Sequence, residues 1–312
     1  MRPIPRYWAS VEEVVTFPDT GAFHLTIRGS SDLTVEDAER DARERFDRLV
    51  AAGGPERGRR DHEYYPDRRL PEELLEEIRG PDGELLAAIT RNRYGAAVLN
   101  TDAVLISDID ISAPTAPSRS APSTQSGGFF SRLFGGARTR SPAPADPEDP
   151  DEYGLPAIGA RGEEHQRILR MIEDFGTRHP ELGVRTYRTR NGFRLLLTGS
   201  GAGPGSDRAR ELMGELHSDR LYMTLCRVHD SYRARLTPKP WRIGIRRPHG
   251  GGPSSAGVGQ DQRWVEKYEA ASREVAVCRL IETAGPGPDR MEQQIIDLHD
   301  RAVKSDSGLR LA

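Results

Sequence analysis

The sequence has only two cysteines, Cys226 and Cys278, and they lie far apart in its 312 residues. Two distant thiols give neither a disulfide framework nor the ligand spacing of a zinc site, which fits a reducing cytoplasm. No apolar run approaches the roughly 18 residues of a membrane span. The first eight residues contain no apolar signal core, which argues against export. We therefore expect a soluble cytoplasmic protein that does not contact a membrane.

Charge is unevenly distributed along the chain. Between Arg185 and Arg247 there are 14 arginine and lysine residues against five acidic residues, a balance of +9, whereas the whole chain carries −3. A basic region of this kind indicates either a phosphate-rich ligand or an arginine-rich surface without a ligand.

Composition divides the chain into three parts. Residues 1–111 form the first part of an α+β core, and residues 157–312 form its remainder, with basic strands and a closing helix. Between them, residues 112–156 are rich in proline, serine and glycine and poor in branched apolar residues. Such a segment buries too little surface to offset its ordering entropy, so we predict a long disordered insertion.

Apolar spacing and turn residues predict the main elements. Helical periodicity predicts helices over 35–51, 161–176, 207–217 and 289–303, and a short helix over 71–78. Residues 96–99 and 103–111 are predicted to form a hairpin across a short polar turn.

A second hairpin is predicted around the dipeptide Asn191-Gly192, which is a strong signal for a two-residue turn. That turn would place Thr189 opposite Arg194 and position 187 opposite position 196.

Two aspartates end the strand predicted over 103–111. Because side chains alternate along a strand, Asp108 and Asp110 share one face, while Leu105, Ile109 and Ile111 point to the other. Adjacent carboxylates repel unless a positive charge lies between them, and Mg²⁺ or Mn²⁺ would satisfy that need. The alternative is a strand end whose acids simply face water.

A later stretch, residues 231–239, also alternates as a strand does. Its apolar positions face inward, and its outer positions carry Arg233, Arg235 and Lys239. This pattern predicts a half-buried strand with a cationic outer row.

The order of these elements resembles the catalytic core of the archaeo-eukaryotic primase superfamily, the primase-polymerases. Residues 105–110 match its hydrophobic-Asp-x-Asp metal motif. Residues 189–194 occupy the place of its second motif but lack the Ser-Gly opening, and Arg194 stands where that family has a histidine.

The resemblance implies an RRM-like, mostly antiparallel sheet flanked by helices, and two-metal nucleotidyl transfer on nucleotides and nucleic acid. Asp108, Asp110 and, as a third acid, Asp230 would hold Mg²⁺ or Mn²⁺. Triphosphate and template backbone would be bound by basic side chains: Arg188, Arg194, Arg233, Arg235 and Lys239.

Two other functions remain open. Residues 108–112 also resemble the Asp-x-Asp-x-Thr motif of haloacid-dehalogenase-like phosphatases, in which Asp108 would be the nucleophile and Asp110 the general acid. That family needs a parallel sheet and a late acidic pair, whereas only Glu282-Thr283 follows the strand predicted over 275–281.

The third possibility is a non-catalytic protein that binds single-stranded nucleic acid or scaffolds another protein. It would stack bases on aromatic side chains that could equally pack in the core: Tyr187, Phe193, Tyr232 and Trp241.

Overall fold

The computed structural model describes residues 1, 3–17, 21–54, 70, 72–92, 94–111, 160–246 and 262–312. Within this part, ten β-strands and six α-helices form an α+β fold, and the strands of each sheet pair in antiparallel fashion. The predicted fold class, antiparallel sheets flanked by helices, is therefore confirmed. The insertion predicted over 112–156 lies outside the described residues.

The strands are β1 (Tyr7–Phe17), β2 (Gly21–Ser31), β3 (Glu73–Arg79), β4 (Leu85–Arg91), β5 (Ala97–Thr101), β6 (Leu105–Asp110), β7 (Gly183–Thr189), β8 (Gly192–Thr198), β9 (Tyr232–Arg235) and β10 (Cys278–Ala284). The helices are α1 (Val35–Ala51), α2 (Ala160–Arg178), α3 (Asp207–Glu215), α4 (Arg220–His229), α5 (Gln262–Ser272) and α6 (Arg290–Val303). None of the described helices combines the length and the apolar character needed to cross a bilayer.

The N-terminal ribbon of β1 and β2 packs against α1. Thr34 begins this helix by accepting a hydrogen bond from a first-turn amide, and Ala38, Ala42 and Phe46 recur at helical spacing on its buried face. Gly29 on β2 permits the close approach, because a Cβ there would lie 2.2 Å from the carbonyl oxygen of Ala38.

The first four-stranded sheet has the order β3-β4-β5-β9 and includes a strand where a helix was predicted. The helix prediction over 71–78 is wrong: of the described residues in this stretch, those from 73 onward form β3, which pairs with β4 as an edge strand. Leucine and glutamate favour helices, but the strand pairing and the burial of Glu72, which is 2% exposed, outweigh that weak preference.

The second four-stranded sheet has the order β10-β7-β8-β6. The hairpin predicted from residues 96–99 and 103–111 is therefore wrong, since β5 pairs with β4 and β9, whereas β6 pairs with β8. The bend at residues 102–104 carries the chain from one sheet to the other. The apolar pattern of both strands fits their burial but does not determine their partners.

The hairpin of β7 and β8 forms with a different register from the predicted one. Thr189 lies opposite Gly192 and Tyr187 opposite Arg194, so the turn consists of residues 190–191. Gly192 is needed in the strand, because a Cβ there would lie 1.9 Å from the carbonyl oxygen of Ile109 on β6. The shift of two positions keeps every side chain on its predicted face.

Helices cover both faces of the second sheet. On one face, His165 of α2 contacts Phe193 edge-on, with ring centroids 5.7 Å apart. On the other face, His299 of α6 contacts Tyr187 at 4.9 Å. Since Tyr187 and Arg194 are cross-strand partners, Arg194 points toward α6.

The two sheets meet where edge strand β6 approaches edge strand β9. The hydroxyl of Tyr222 on α4 donates to the carbonyl oxygen of Ile106 at 2.8 Å and accepts from the main-chain N–H of Arg233 at 3.3 Å. A tyrosine therefore bridges two strand edges that do not pair directly. The two predicted acids lie at this junction.

Candidate functional site

An ion pair between Asp108 and Arg194 lies at the junction of the sheets. The two residues are direct partners on β6 and β8. Arg194 donates from Nε to Oδ1 at 2.8 Å and from Nη2 to Oδ2 at 3.1 Å. Such two-point pairing of a guanidinium with a carboxylate is among the stronger charge-assisted contacts in proteins. The Arg194 side chain is 1% exposed and that of Asp108 is 30% exposed, so the pair extends from the core toward the surface.

The third nitrogen of the Arg194 guanidinium is directed at two further elements. Nη1 donates to the main-chain oxygen of Arg235 on β9 at 3.0 Å and lies 3.5 Å from Nε2 of His299 on α6. Burial alone would lower the pKa of Arg194, but the charge and hydrogen bonds of Asp108 raise it above its ordinary value. Arg194 is therefore a permanent cation that connects β6, β8, β9 and α6.

Buried and half-buried polar side chains continue the network behind Arg194. Oδ1 of Asp300 lies 3.0 Å from Nδ1 of His299 and accepts a hydrogen bond from the Tyr187 hydroxyl at 2.7 Å. Arg185 donates to the other carboxylate oxygen at 2.9 Å. Burial lowers the pKa of His299 against the opposing hydrogen bond of Asp300, and the charge of Arg194 lowers it further. The neutral ring can then donate from Nδ1 and accept at Nε2.

Asp110 lies on the same face of β6 as Asp108, as the strand alternation predicts. It is an exposed residue at the end of the strand. Desolvation, followed by the charge of Asp108, raises the pKa of Asp110; Asp219 adds to the rise, while Lys239 and Arg235 oppose it. Both acidic and basic side chains therefore lie close enough to Asp110 to shift its pKa.

Three basic residues at and after the end of β9 form what we call the basic cluster: Arg235, Lys239 and Arg242. Burial is the largest cause that lowers the pKa of each, and repulsion by Arg235 lowers those of the other two further. The pKa of Arg242 falls to about 10, with Arg190 contributing, and Asp110 opposes the fall in all three. Among the described residues, none of the three forms an ion pair with an Asp or Glu side chain.

A short 3-10 helix, Pro240–Ile243, positions two members of the basic cluster. Lys239 precedes it and Arg242 lies within it. Nη1 of Arg242 donates to the main-chain oxygen of Ala312 at 3.3 Å. With the Asn191 amide turned to satisfy both its groups, its oxygen accepts from Nη2 of Arg242 at 3.2 Å. These contacts fix the Arg242 side chain beside the β7–β8 turn.

Two residues predicted to bind phosphate lie away from the acids. Arg188 pairs across the strands with Phe193, on the face opposite Arg194, and its guanidinium lies 5.3 Å from the Phe193 ring centroid. Arg233 contacts both carboxylate oxygens of buried Glu72, at 2.7 and 2.9 Å. The predicted outer row of cations on β9 is therefore interrupted by a buried ion pair.

The predicted third metal ligand, Asp230, lies at the C-terminal end of α4 in the left-handed conformation, with φ 53° and ψ 44°. It is not among the charges that shift the pKa of Asp110, whereas Asp219 is. Asp219 is the N-cap of α4, and its main-chain N–H donates to the carbonyl oxygen of Asp108 at 3.2 Å. The acid that lies near Asp108 and Asp110 is therefore Asp219, at the N-terminal end of α4, and not the predicted Asp230 at its C-terminal end.

Sequence reasoning missed several residues of this site: Asp219, Arg242, His299 and Asp300. An aspartate before a helix is a recognisable N-cap signal, and Arg242 lies in the basic stretch. Neither signal indicates a contact with the acid strand. His299 and Asp300 fall within the predicted closing helix, where nothing in the local pattern distinguishes a buried polar pair.

Three of the four aromatic residues considered for base stacking are core residues. Tyr187 and Tyr232 are 0% exposed and Phe193 is 1% exposed. Trp241, in contrast, is 42% exposed. Packing therefore accounts for the first three, and Trp241 alone of the four has an exposed ring.

The residues present do not fit the predicted pair of Mg²⁺ or Mn²⁺ ions in this arrangement. Each carboxylate oxygen of Asp108 accepts a hydrogen bond from Arg194, whose charge would repel a divalent cation. Across the described part of the chain, no group of three or more His, Cys, Asp or Glu side chains is arranged to hold a metal ion.

Comparisons with known proteins assign no family: no family model matches the chain, no curated protein matches its sequence and no solved structure matches its fold. The resemblances to primase-polymerases and phosphatases therefore rest on their motifs alone. The antiparallel pairing of β6 with β8 also differs from the parallel sheet that the phosphatase resemblance requires.

The Asp108–Arg194 pair predicts a large effect of removing its negative charge. Asp108→Asn keeps the side-chain shape but leaves the Arg194 cation buried without a counter-ion, so we expect the free energy of unfolding to fall by about 3 kcal/mol. Urea denaturation measures this change. The matched control is Asp207→Asn, which breaks an exposed ion pair with Arg210 and should cost less than about 1 kcal/mol. Equal losses would contradict a structural role for the buried pair.

The lowered pKa of His299 predicts a pH dependence of folding. The ordinary value is 6.5, and the folded-state value lies below it. Between the two, the unfolded chain binds the proton more readily, so this contribution is complete above pH 6.5 and is lost as the pH falls. Urea unfolding at about pH 8 and about pH 5.5 should show a larger loss for the wild type than for His299→Asn. Identical pH dependence would identify another titrating group.

Proposed function

We propose that the protein binds the phosphate groups of a nucleic acid at the basic cluster beside Asp110. The observation that carries this proposal is that three neighbouring basic residues, Arg235, Lys239 and Arg242, form no ion pair with an Asp or Glu side chain of the described residues. Burial first, and neighbouring cations second, lower the pKa of each. Holding like charges together raises the free energy of the unliganded protein. A bound polyanion would remove that repulsion, so its binding is favoured.

The cluster has the chemistry that phosphate recognition requires. Arg235 and Arg242 each carry a planar guanidinium that can donate two parallel hydrogen bonds to phosphate oxygens, and Lys239 adds a mobile ammonium. The carboxylate of Asp110 partly neutralises the unliganded cluster and would repel phosphate. A linear chain of phosphodiester groups, as in a nucleic acid, matches a group of cations that extends from a strand into the helix after it.

Nucleotidyl transfer is a second candidate, and one observation favours it. Asp108 and Asp110 share a face of β6 next to the basic cluster, which is the arrangement that the primase-polymerase resemblance implies. Because Arg194 already pairs with Asp108, nucleotidyl transfer has less support than nucleic-acid binding without catalysis.

The binding proposal predicts opposite effects of removing a cation and removing the acid. Lys239→Gln should weaken binding of a labelled single-stranded oligonucleotide and reduce the slope of log affinity against log salt by about 0.7. Asp110→Asn should strengthen binding by about fivefold, because it removes a repulsive charge close to the phosphate. Fluorescence anisotropy over a series of salt concentrations measures both.

The control for the cation is Arg210→Gln, which removes an exposed arginine of α3 that is paired with Asp207. It should leave affinity and salt slope close to the wild-type values. The proposal is wrong if the wild type shows no salt-dependent binding, or if Arg210→Gln and Lys239→Gln weaken binding equally.

The second candidate is tested with the same Asp110→Asn protein. Purified wild type is incubated with Mn²⁺, labelled nucleotides and a primed or bare template, and incorporation is followed on a gel. If binding is the whole function, neither protein incorporates nucleotide. Incorporation by the wild type that is abolished in Asp110→Asn would instead establish the transferase, since the same substitution is expected to strengthen nucleic-acid binding and not to weaken it.

A further inference from the structure

Trp241 places a large exposed aromatic ring within the basic cluster. It is the second residue of the short 3-10 helix, lies between Lys239 and Arg242 in the chain, and is 42% exposed. The other two tryptophans pack within the fold: Trp8 is 5% exposed, and Trp264 stacks on a tyrosine with ring centroids 4.9 Å apart. Because so much of Trp241 is exposed to solvent, its burial contributes little to the stability of the fold.

The orientation of the Trp241 ring is constrained by its neighbours. Tyr94 meets it edge-on, with ring centroids 5.4 Å apart and planes at 87°. Nζ of Lys239 lies 5.7 Å from the ring centroid. Pro240 restricts the backbone before it, and Gly244, at φ 74°, closes the helix by donating to the carbonyl oxygen of Pro240. A ring held in this way loses little conformational freedom when a ligand stacks on it.

We propose that Trp241 stacks with an unpaired nucleobase of a single-stranded nucleic acid while the basic cluster binds the adjoining phosphates. This inference rests on the proposed function and specifies its ligand. Every nucleobase has a π face, so stacking on an indole is compatible with any sequence. Nζ of Lys239 lies 5.7 Å from the ring centroid, so a phosphate next to the stacked base would lie close to a cation.

A single strand fits this site better than a duplex. In a duplex each base face is already covered by its neighbours, so contact with Trp241 would require a base to leave the stack. An acidic peptide could match the charge of the cluster, but it offers no regular aromatic face for the indole. Charge and ring together therefore favour single-stranded nucleic acid.

Tryptophan fluorescence and affinity test the inference together. The probes are a single-stranded deoxythymidine oligonucleotide, a duplex of the same length, inorganic polyphosphate and polyglutamate. Trp241→Leu keeps an apolar side chain but removes the ring, and Trp241→Phe keeps a smaller ring. Tyr7→Leu is the matched control, since Tyr7 is 37% exposed on the N-terminal ribbon. Thermal melting of each variant verifies that it is folded, and Trp241→Phe provides the readout if Trp241→Leu is not.

We expect Trp241→Leu to bind the single strand about tenfold more weakly than wild type, and Trp241→Phe to lose less. Polyphosphate binding should remain within about twofold in both variants, because phosphate contacts are intact. The oligonucleotide should quench wild-type tryptophan fluorescence, and the quenching should be lost in Trp241→Phe. Tyr7→Leu should behave as wild type in every assay.

Several results would overturn the inference and still leave the proposed function in place. They are unchanged single-strand affinity in Trp241→Leu, an equal loss of polyphosphate binding, or the same dependence on Trp241 for the duplex or for polyglutamate. Wild-type binding of polyphosphate without binding of the single strand would overturn both the inference and the proposed function. Failure of the wild type to bind any of the phosphate-bearing probes would overturn the proposed function as well.

Discussion

The contact between Arg194 and Asp108 is the interaction on which the arrangement of the site depends. A nearly inaccessible guanidinium pairs with an acid on the neighbouring strand, bonds to the backbone of β9 and reaches α6. Few other strand registers are compatible with this buried charge. A shift of one residue between β6 and β8 would turn Asp108 to the opposite face and leave the Arg194 cation without its counter-ion. The pair therefore specifies the register of β6, and with it the outward direction of Asp110.

The acid motif consequently has two parts with different roles. Asp108 is half-buried and compensates the buried charge of Arg194, whereas Asp110 remains exposed among cations that its single charge does not balance. Strand alternation predicted that both would share a face, and they do. It did not predict this division, because the depth of each carboxylate depends on the strand and helices that cover it.

The fold was predictable where a single element carries its own pattern. The amphipathic spacing of α1 and of α6 is local, and both helices form close to where it predicts them. Errors arose where structure depends on a partner. The stretch 71–78 has helical propensity, but its residues from 73 onward form a strand beside β4. Strands β5 and β6 are adjacent in the chain but join different sheets. The Asn-Gly dipeptide identified the second hairpin correctly but not its register, since Gly192 is required by the close approach of Ile109.

The same distinction separates the basic residues, which the sequence presents as one group. Arg194 and Arg233 are compensated inside the protein by Asp108 and Glu72, and the sequence gives no sign of either pairing. The basic cluster has no such acid among the described residues; burial lowers the pKa of each member, and Arg235 lowers those of Lys239 and Arg242 further. Buried cations with internal partners are explained by folding alone. Cations that repel one another around a single carboxylate weaken the folded state, and a bound polyanion would relieve that repulsion. That contrast in compensation, more than the number of arginines, is why we propose the surface beside Asp110 and Trp241 as the binding surface.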